Sequence, residues 1–346
     1  MNQVHFSSIC NSKLILSVLG LALAVLSVTP VSFAQATHRV PQDFPSIQLA
    51  VDGANAGDTI RVGPGRWCGA RITKTLNLIG DGATIKGCPP GSPGPVGNFA
   101  RRGFFINAAA SGSSISHFTF DGKGYSDTNQ EPLGIGIQSQ FFTNNVEVDS
   151  NVFFGGLGGI ETFGSGWLIT HNVFDGFTIL SSGAGGFGIL SEDFQNGPFT
   201  GNAYLYNVII AVVPPGSFSF VSFVNEVDVP FAGIAIAGHN GTIIANNKIA
   251  ISSNASGDAG AGIIATDSSA DGISSTCSNL VITNNDGRRS QYGLIITNDQ
   301  FGGTANTVGA TIRGNFGVNL INTSTSNVKN RSIRTLLLCD SNGVCQ

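Results

Sequence analysis

Charge is scarce in this 346-residue chain: Asp, Glu, Lys and Arg make up only 11% of it, and no Lys or Arg occurs in the 124 residues from Gly124 through Asn247. With 17 basic against 21 acidic residues and a formal net charge of −4, the chain has no basic surface on which to hold nucleic acid or an anionic membrane. Forty-seven glycines and a thin supply of charge are what short strands joined by tight corners need. Long apolar runs are missing with one exception, residues 14 to 28 (LILSVLGLALAVLSV), which follow Lys13 and precede Ala34-Gln35-Ala36. This reads as a secretory signal spanning 1–36 and cleaved near Ala36. It is short of the ~20 residues a membrane span requires. The chain has no phosphate loop, no nucleotide fingerprint and no Ser-His-Asp order. It also has neither an EF-hand nor a nonapeptide calcium repeat, although acid clusters on Gly-rich loops leave Ca²⁺ as a candidate ligand.

What the chain does have is a repeat. The stretch 158–176 (GGIETFGSGWLITHNVFDG) recurs in loose copies, each opening on Gly and an apolar residue: Gly103-Phe104, Gly136-Ile137, Gly159-Ile160, Gly188-Ile189, Gly233-Ile234, Gly262-Ile263 and Gly293-Leu294, with Asn207-Val208 as an eighth. Successive openings lie 33, 23, 29, 19, 26, 29 and 31 residues apart, the period of one solenoid coil with loops of varying length. Each copy then carries an apolar residue, small polar ones, an Asn, and another apolar residue two further on, with the Asn at 151, 172, 202, 247, 285 and 315, and Asn225 a poorer match. Strands this short cannot bury an apolar face alone. Stacking them at ~4.8 Å makes one continuous core and brings equivalent Asn side chains into a ladder.

This pattern resembles the right-handed parallel β-helix of the pectin-lyase-like superfamily. The fold expected is an all-β, single-chain solenoid. Residues 37–102 are its N-terminal cap and first coils, 103–330 its regular coils and 331–346 a C-terminal cap. Ile47, Ala50, Val51 and Ala54 have helical spacing and predict a short capping helix; strands are expected at Thr59 to Val62 and Leu76 to Ile79.

The signal apart, five cysteines remain. Cys68 and Cys88 are 20 residues apart, about one coil, which puts them within disulfide reach. Cys339 and Cys345 flank a turn sequence and are expected to form a second bridge. Cys277 is left over as a small buried residue.

If the residue after each opening Gly points inward, alternation turns the next one outward. Polar groups among the outward positions concentrate on the coils opening at 136, 159 and 188, whose outward residues are Gln138 and Gln140, Glu161 and Phe163, Leu190 and Glu192; Asn107, Thr266 and Thr297 are outward on other coils. Long connections on both flanks would wall a groove over this first-strand sheet. Glu161 and Glu192 fall on adjacent coils, two residues out of step, so their Cα atoms are expected on the order of 8 Å apart. Carboxylates ~6.5 to 9.5 Å apart suit an inverting glycoside hydrolase, and Asp193 could supply either role. Gln138, Gln140 and Phe163 would line the bound substrate. The competing reading is that these acids are solvated strand residues.

A surface without Lys or Arg fits a neutral glycan better than a polyuronate, whose carboxylates call for cations. The function expected is therefore a secreted monomer that binds or hydrolyses a polysaccharide or cell-surface glycan, with no nucleic-acid partner and no membrane partner once the signal is removed. One alternative is a non-catalytic adhesive or surface protein. Another is a pectinesterase-like or lyase-like enzyme with a degenerate site. Residues 227 to 233 (VDVPFAG) are similar to the pectinesterase motif with one residue more, and the likeness would make Asp228 the nucleophile. Gly238-His239-Asn240 is the nearest approach to the Gly-His-Gly of polygalacturonases.

Overall fold

The computed structural model describes residues 35–88, 101–126, 129, 131–177, 186–193, 198–212, 221–222, 228–229, 231–252, 260–266, 276–290, 292–297, 309–317, 319–322 and 336–339. The expected signal segment up to Ala34 lies outside them, as does Cys345 and with it the second bridge.

From Ala36 onward the chain winds through three sheets of parallel strands. Sheet A has ten strands, from Thr37–Val40 to Thr311–Arg313; sheet B has seven, from Gly65–Cys68 to Lys248–Ser252; sheet C has ten, from Ala70–Ile72 to Leu336–Cys339. A coil visits C, A and B in turn, as Gly158–Thr162, Leu168–Thr170 and Val173–Asp175 do, before the next C strand, Gly186–Glu192. Each strand pairs in parallel with its counterpart one coil on. This is a parallel β-helix. The first coil is already present at Thr59–Val62, Gly65–Cys68 and Ala70–Ile72, which supply strands to A, B and C. The second expected strand is found one residue later, as Asn77–Gly80.

Helix α1, Ile47–Gly53, closes the N-terminal end. Ser46 Oγ accepts from the Leu49 N–H as its N-cap, and Ile47, Ala50 and Val51 are buried as the helical spacing requires. Cys68 and Cys88 form a disulfide with Cα atoms 5.5 Å apart. Cys277 is a buried free cysteine whose Sγ lies 3.1 Å from the Thr266 carbonyl and accepts from the His239 N–H at 3.4 Å.

The residues after the opening glycines do point inward. Ile137, Ile160, Ile189, Ile234 and Ile263 are at most 2% exposed and belong to one core running through the coils. Burial of each such side chain is worth about 1.5–3 kcal/mol. The glycines themselves serve space rather than backbone angle, because none of those at 103, 136, 159, 188, 233 and 262 has positive φ. A Cβ on Gly159 would sit 2.4 Å from the Phe174 ring and 2.6 Å from the Gly188 carbonyl, and one on Gly136 would sit 2.5 Å from Phe153. Sheet B lays a stack of phenylalanines, Phe120, Phe153 and Phe174, across this glycine row, with ring centroids 4.6 and 4.7 Å apart. The rings fit because the row facing them has no side chains.

The ladder of asparagines exists, with one member corrected. Its rungs are Asn151, Asn172, Asn207, Asn247, Asn285 and Asn315, at the corner between sheets A and B and at most 3% exposed. Asn151 Oδ1 accepts from the Phe118 N–H, and each later rung offers Oδ1 to the backbone N–H and Nδ2 of the rung before it: Asn172 receives both from Asn151 at 2.9 and 3.1 Å, and Asn207 both from Asn172 at 3.0 and 3.1 Å. The residue before each rung, not the rung, takes the left-handed turn: Ser150, His171, Tyr206, Asn246 and Asn284 have φ of 54–59°. Asn207 therefore opens no coil. The strand after it, Val208–Val212, belongs to sheet B. Asn202 sits instead at the C-to-A corner, where Oδ1 accepts from the Trp167 N–H at 2.9 Å and Nδ2 donates to the Gly164 carbonyl. Asn225 is outside the described residues.

Candidate functional site

Strand register fixes which residues share the outer face of sheet C. Arg71, Phe105, Gln138, Glu161, Leu190, Ala235, Ile264 and Ile295 form one outward row, each a direct partner of the next. Glu192 stands two residues beyond Leu190 and pairs with Ala237 in the next coil. Glu161 and Glu192 thus have the two-residue offset expected on adjacent coils. A second flanking row holds Arg102, Ile135, Gly158, Phe187, Ala232 and Ala261.

The face is not an open floor. From Leu190 onward the outward residues Leu190, Ala235, Ile264 and Ile295 are at most 5% exposed and cluster with Tyr125, Ile135, Leu157, Phe187, Ala232 and Ala261 as a second apolar core. This apolar cluster bounds the expected groove on its C-terminal side. Gln138 is buried, and Glu161 and Glu192 are half-buried, so neither acid is a solvated surface group.

Their environments differ. Gln138 Nε2 donates to Glu161 Oε2, and the Arg102 guanidinium acts on the same carboxylate. Burial is the larger influence and raises the Glu161 pKa, while Gln138 and Arg102 oppose it. Among the described residues no cation acts on Glu192. Burial and the negative charge of Glu161 together push its pKa up to about 8. Asp193 is buried and follows the strand, its N–H donating to the Ala237 carbonyl at 3.0 Å; the carboxylate acting on Glu192 is that of Glu161.

Sequence reasoning did not place two arginines here. Arg102 lies with its guanidinium 5.4 Å from the Phe105 ring centroid, and Arg71 stacks on the same ring at 4.9 Å. Burial lowers the Arg102 pKa and Glu161 partly restores it. Register was the missing signal, since Arg102 precedes an opening glycine and falls beside Ile135.

Four buried side-chain polar atoms among the described residues have no hydrogen-bond partner: Arg102 Nε, Asn107 Oδ1, Gln138 Oε1 and Tyr204 Oη. The first three belong to the outward rows around Glu161. Buried groups without partners are rare in folded proteins, and each forfeits about 1–3 kcal/mol. A donor and two acceptors are thus left unpaired on one face, beside two acids of raised pKa.

The expected substrate-binding residues divide. Gln138 is at the centre of the site. Gln140 is exposed and its Oε1 accepts from the Ala108 N–H at 3.2 Å, one row over. Phe163 packs on Phe141 with centroids 4.8 Å apart and its N–H donates to Ser139 Oγ. It flanks the acids in the row of Gln140 and Glu192. His239 faces the core and is fully buried. Its Nε2 donates to the Ser191 carbonyl at 3.1 Å, which leaves Nδ1 to accept from Thr242 Oγ1, and burial holds its pKa down at about 4. The likeness to a Gly-His-Gly loop ends there. The Asp228 side chain lies outside the described residues. Among the described residues no three His, Cys, Asp or Glu side chains group as metal ligands, and no helix is long and apolar enough to cross a membrane.

No family model and no curated protein sequence matches the chain. Solved structures do. The surface protein and adhesin PfbA of Streptococcus pneumoniae is similar at 13% identity and TM-score 0.44, over 82% of this chain and 67% of that one. The polygalacturonase of Erwinia carotovora ssp. carotovora is similar at 13% identity and TM-score 0.41, over 88% and 96%. The catalytic domain of a family GH87 alpha-1,3-glucanase, solved with tetrasaccharides, is similar at 16% identity and TM-score 0.33, over 90% of this chain and 66% of that chain. The architecture itself is read from the strand registers above, and they make this chain a parallel β-helix.

Proposed function

We propose that the chain is a secreted glycan-processing β-helix whose site is the outer face of sheet C around Glu161 and Glu192. The observation that carries this reading is the pairing of two half-buried acids in unlike settings, within a patch of unpartnered polar atoms. With a pKa of about 8, Glu192 keeps its proton at neutral pH and is the general acid that protonates the departing glycosidic oxygen. Glu161, drawn toward ionisation by Gln138 and Arg102, is the base that takes a proton from attacking water. The offset of two residues on neighbouring strands, about 8 Å between Cα atoms by strand spacing, suits the separation of an inverting pair with water between them.

The substrate is a neutral glycan. Arg102 faces Glu161 and Arg71 lies on Phe105, so the site holds no series of free cations to match the carboxylates of a polyuronate. The Cys68–Cys88 disulfide accords with an oxidising, extracellular compartment.

A hydrolysis screen over neutral and acidic polysaccharides tests this. Glu192→Gln and Glu161→Gln are each expected to lower kcat by about 10²–10⁴-fold with little change in KM. An activated aryl glycoside should rescue the Glu192 variant, because a good leaving group needs no proton, and should not rescue the Glu161 variant. If both variants bind and turn over as the parent does, the site is elsewhere. The adhesive reading has one observation on its side, the apolar cover over the outer face from Leu190 onward; it predicts glycan binding without turnover in the same screen.

A further inference from the structure

Among the described residues, sheet B ends two strands before sheet A and also before sheet C. After its last strand, Lys248–Ser252, the next coil keeps only a bridge at Asp286. The chain then turns out through Gly287 to Ser290. The Ile249 N–H donates to the Asp286 carbonyl at 2.8 Å and the Ile251 N–H to Ser290 Oγ at 3.0 Å, so the turn is stitched to the strand edge. This change of course leaves a cleft of about 550 Å³ on the outer face of sheet B, within the ~300–1,000 Å³ of small-molecule sites. Its floor is aliphatic, from Val208, Ile210 and Ala250, and its rim carries Lys248, Arg288, Arg289 and Asp286.

Three cations meet one acid there. Arg288 satisfies Asp286 with two bonds of 2.8 and 2.7 Å. Lys248 and Arg289 therefore stand as surplus charge over an apolar floor on which Ile210 is 46% exposed. Lys248 is also the first basic residue after the 124 without any. Asp175 lies beside Ile210 on the preceding coil, which confines an anion to the Lys248 and Arg289 end.

We propose that this cleft is a second ligand site, separate from the Glu161 face, and that it binds an anionic sugar. The oxyanion would lie between Lys248 and Arg289, a guanidinium fork being suited to carboxylate or sulfate, with the apolar side of the ring on Ile210 and Ala250. The site anchors chain carrying acidic groups and takes no part in cleavage.

The test is titration calorimetry of the full chain at low salt with three trisaccharides: one bearing carboxylates, one bearing sulfates and one neutral. Binding of the carboxylated probe, the sulfated probe or both is expected, weakened at least tenfold by the exposed double substitution Lys248→Ala/Arg289→Ala and also by Ile210→Asp. Selectivity for one probe names the oxyanion. The Glu161→Gln/Glu192→Gln variant should bind the acidic probes as the parent does, which separates this proposal from the fate of the hydrolytic site. Two results would overturn it: no acidic probe bound at millimolar concentration, or acidic-probe affinity unchanged by the double substitution.

Discussion

Two rows of polar side chains are buried along this β-helix, and they are finished differently. At the corner between sheets A and B, each asparagine of the ladder after the first gives its Oδ1 to the rung before it and its Nδ2 to a strand carbonyl, as Asn172 does with Val148 and Asn207 with Ile169. On the outer face of sheet C, Arg102, Asn107 and Gln138 each keep an atom with no partner, and two carboxyls are held at raised pKa. The first row is complete within the fold. The second is left open among the described residues. Polar groups that serve stability close on one another, whereas those that serve binding stay open at a cost in stability.

Four experiments break or sharpen this contrast. The largest effect is expected on catalysis: Glu192→Gln should remove about 10²–10⁴ of kcat while leaving the fold intact, so an inactive but well-folded variant is the outcome to look for by circular dichroism. Next is Gly159→Ala, whose Cβ has no space against Phe174 and the Gly188 carbonyl; a loss of about 3 kcal/mol or more in denaturant unfolding is expected, since backbone and stacked rings must both shift. Asn172→Ala should cost about 2–4 kcal/mol by the same measurement, because it strands the Asn151 N–H and the Val148 carbonyl together.

The fourth experiment is on pH dependence. A folded-state pKa of about 8 for Glu192, against 4.5 for an ordinary glutamate, means that the folded chain keeps a proton the unfolded chain has lost. Stability therefore falls as pH rises from 4.5 to 8. Glu192→Gln should match the parent Tm below that window and exceed it above. His239 acts in the opposite sense. Its folded pKa of about 4 lies below the usual 6.5, so stability is lost as pH falls from 6.5 toward 4, and its imidazole ¹⁵N shifts should show the neutral Nε2–H tautomer at pH 5.

Most of the fold was legible because a solenoid writes its structure as a period. The inward isoleucines, the capping helix and five of the six ladder positions could be read from spacing alone. Asn207 was misread because a single Asn-Val pair resembles a coil opening. The full corner, Tyr206-Asn207-Val208-Ile209, repeats His171-Asn172-Val173-Phe174 and would have placed it. The glycine rows were legible as a pattern but not as a cause, since the phenylalanine stack that excludes a Cβ comes from another sheet.

The site was read in part. Alternation identified Gln138, Glu161 and Glu192 on one face. Their burial and the approach of Arg71 and Arg102 depend on register across coils with unequal loops, which no local window contains. The same limit hid the cleft at Lys248, which exists because sheet B ends early.

The account turns on the protonation of one side chain. Carboxyl ¹³C NMR titration of glutamate-labelled protein, assigned with Glu161→Gln and Glu192→Gln, measures it directly. Glu192 is predicted to titrate near pH 8, with a lower midpoint once Glu161 is replaced. Midpoints near 4.5 for both acids would make them ordinary surface glutamates and contradict the catalytic assignment.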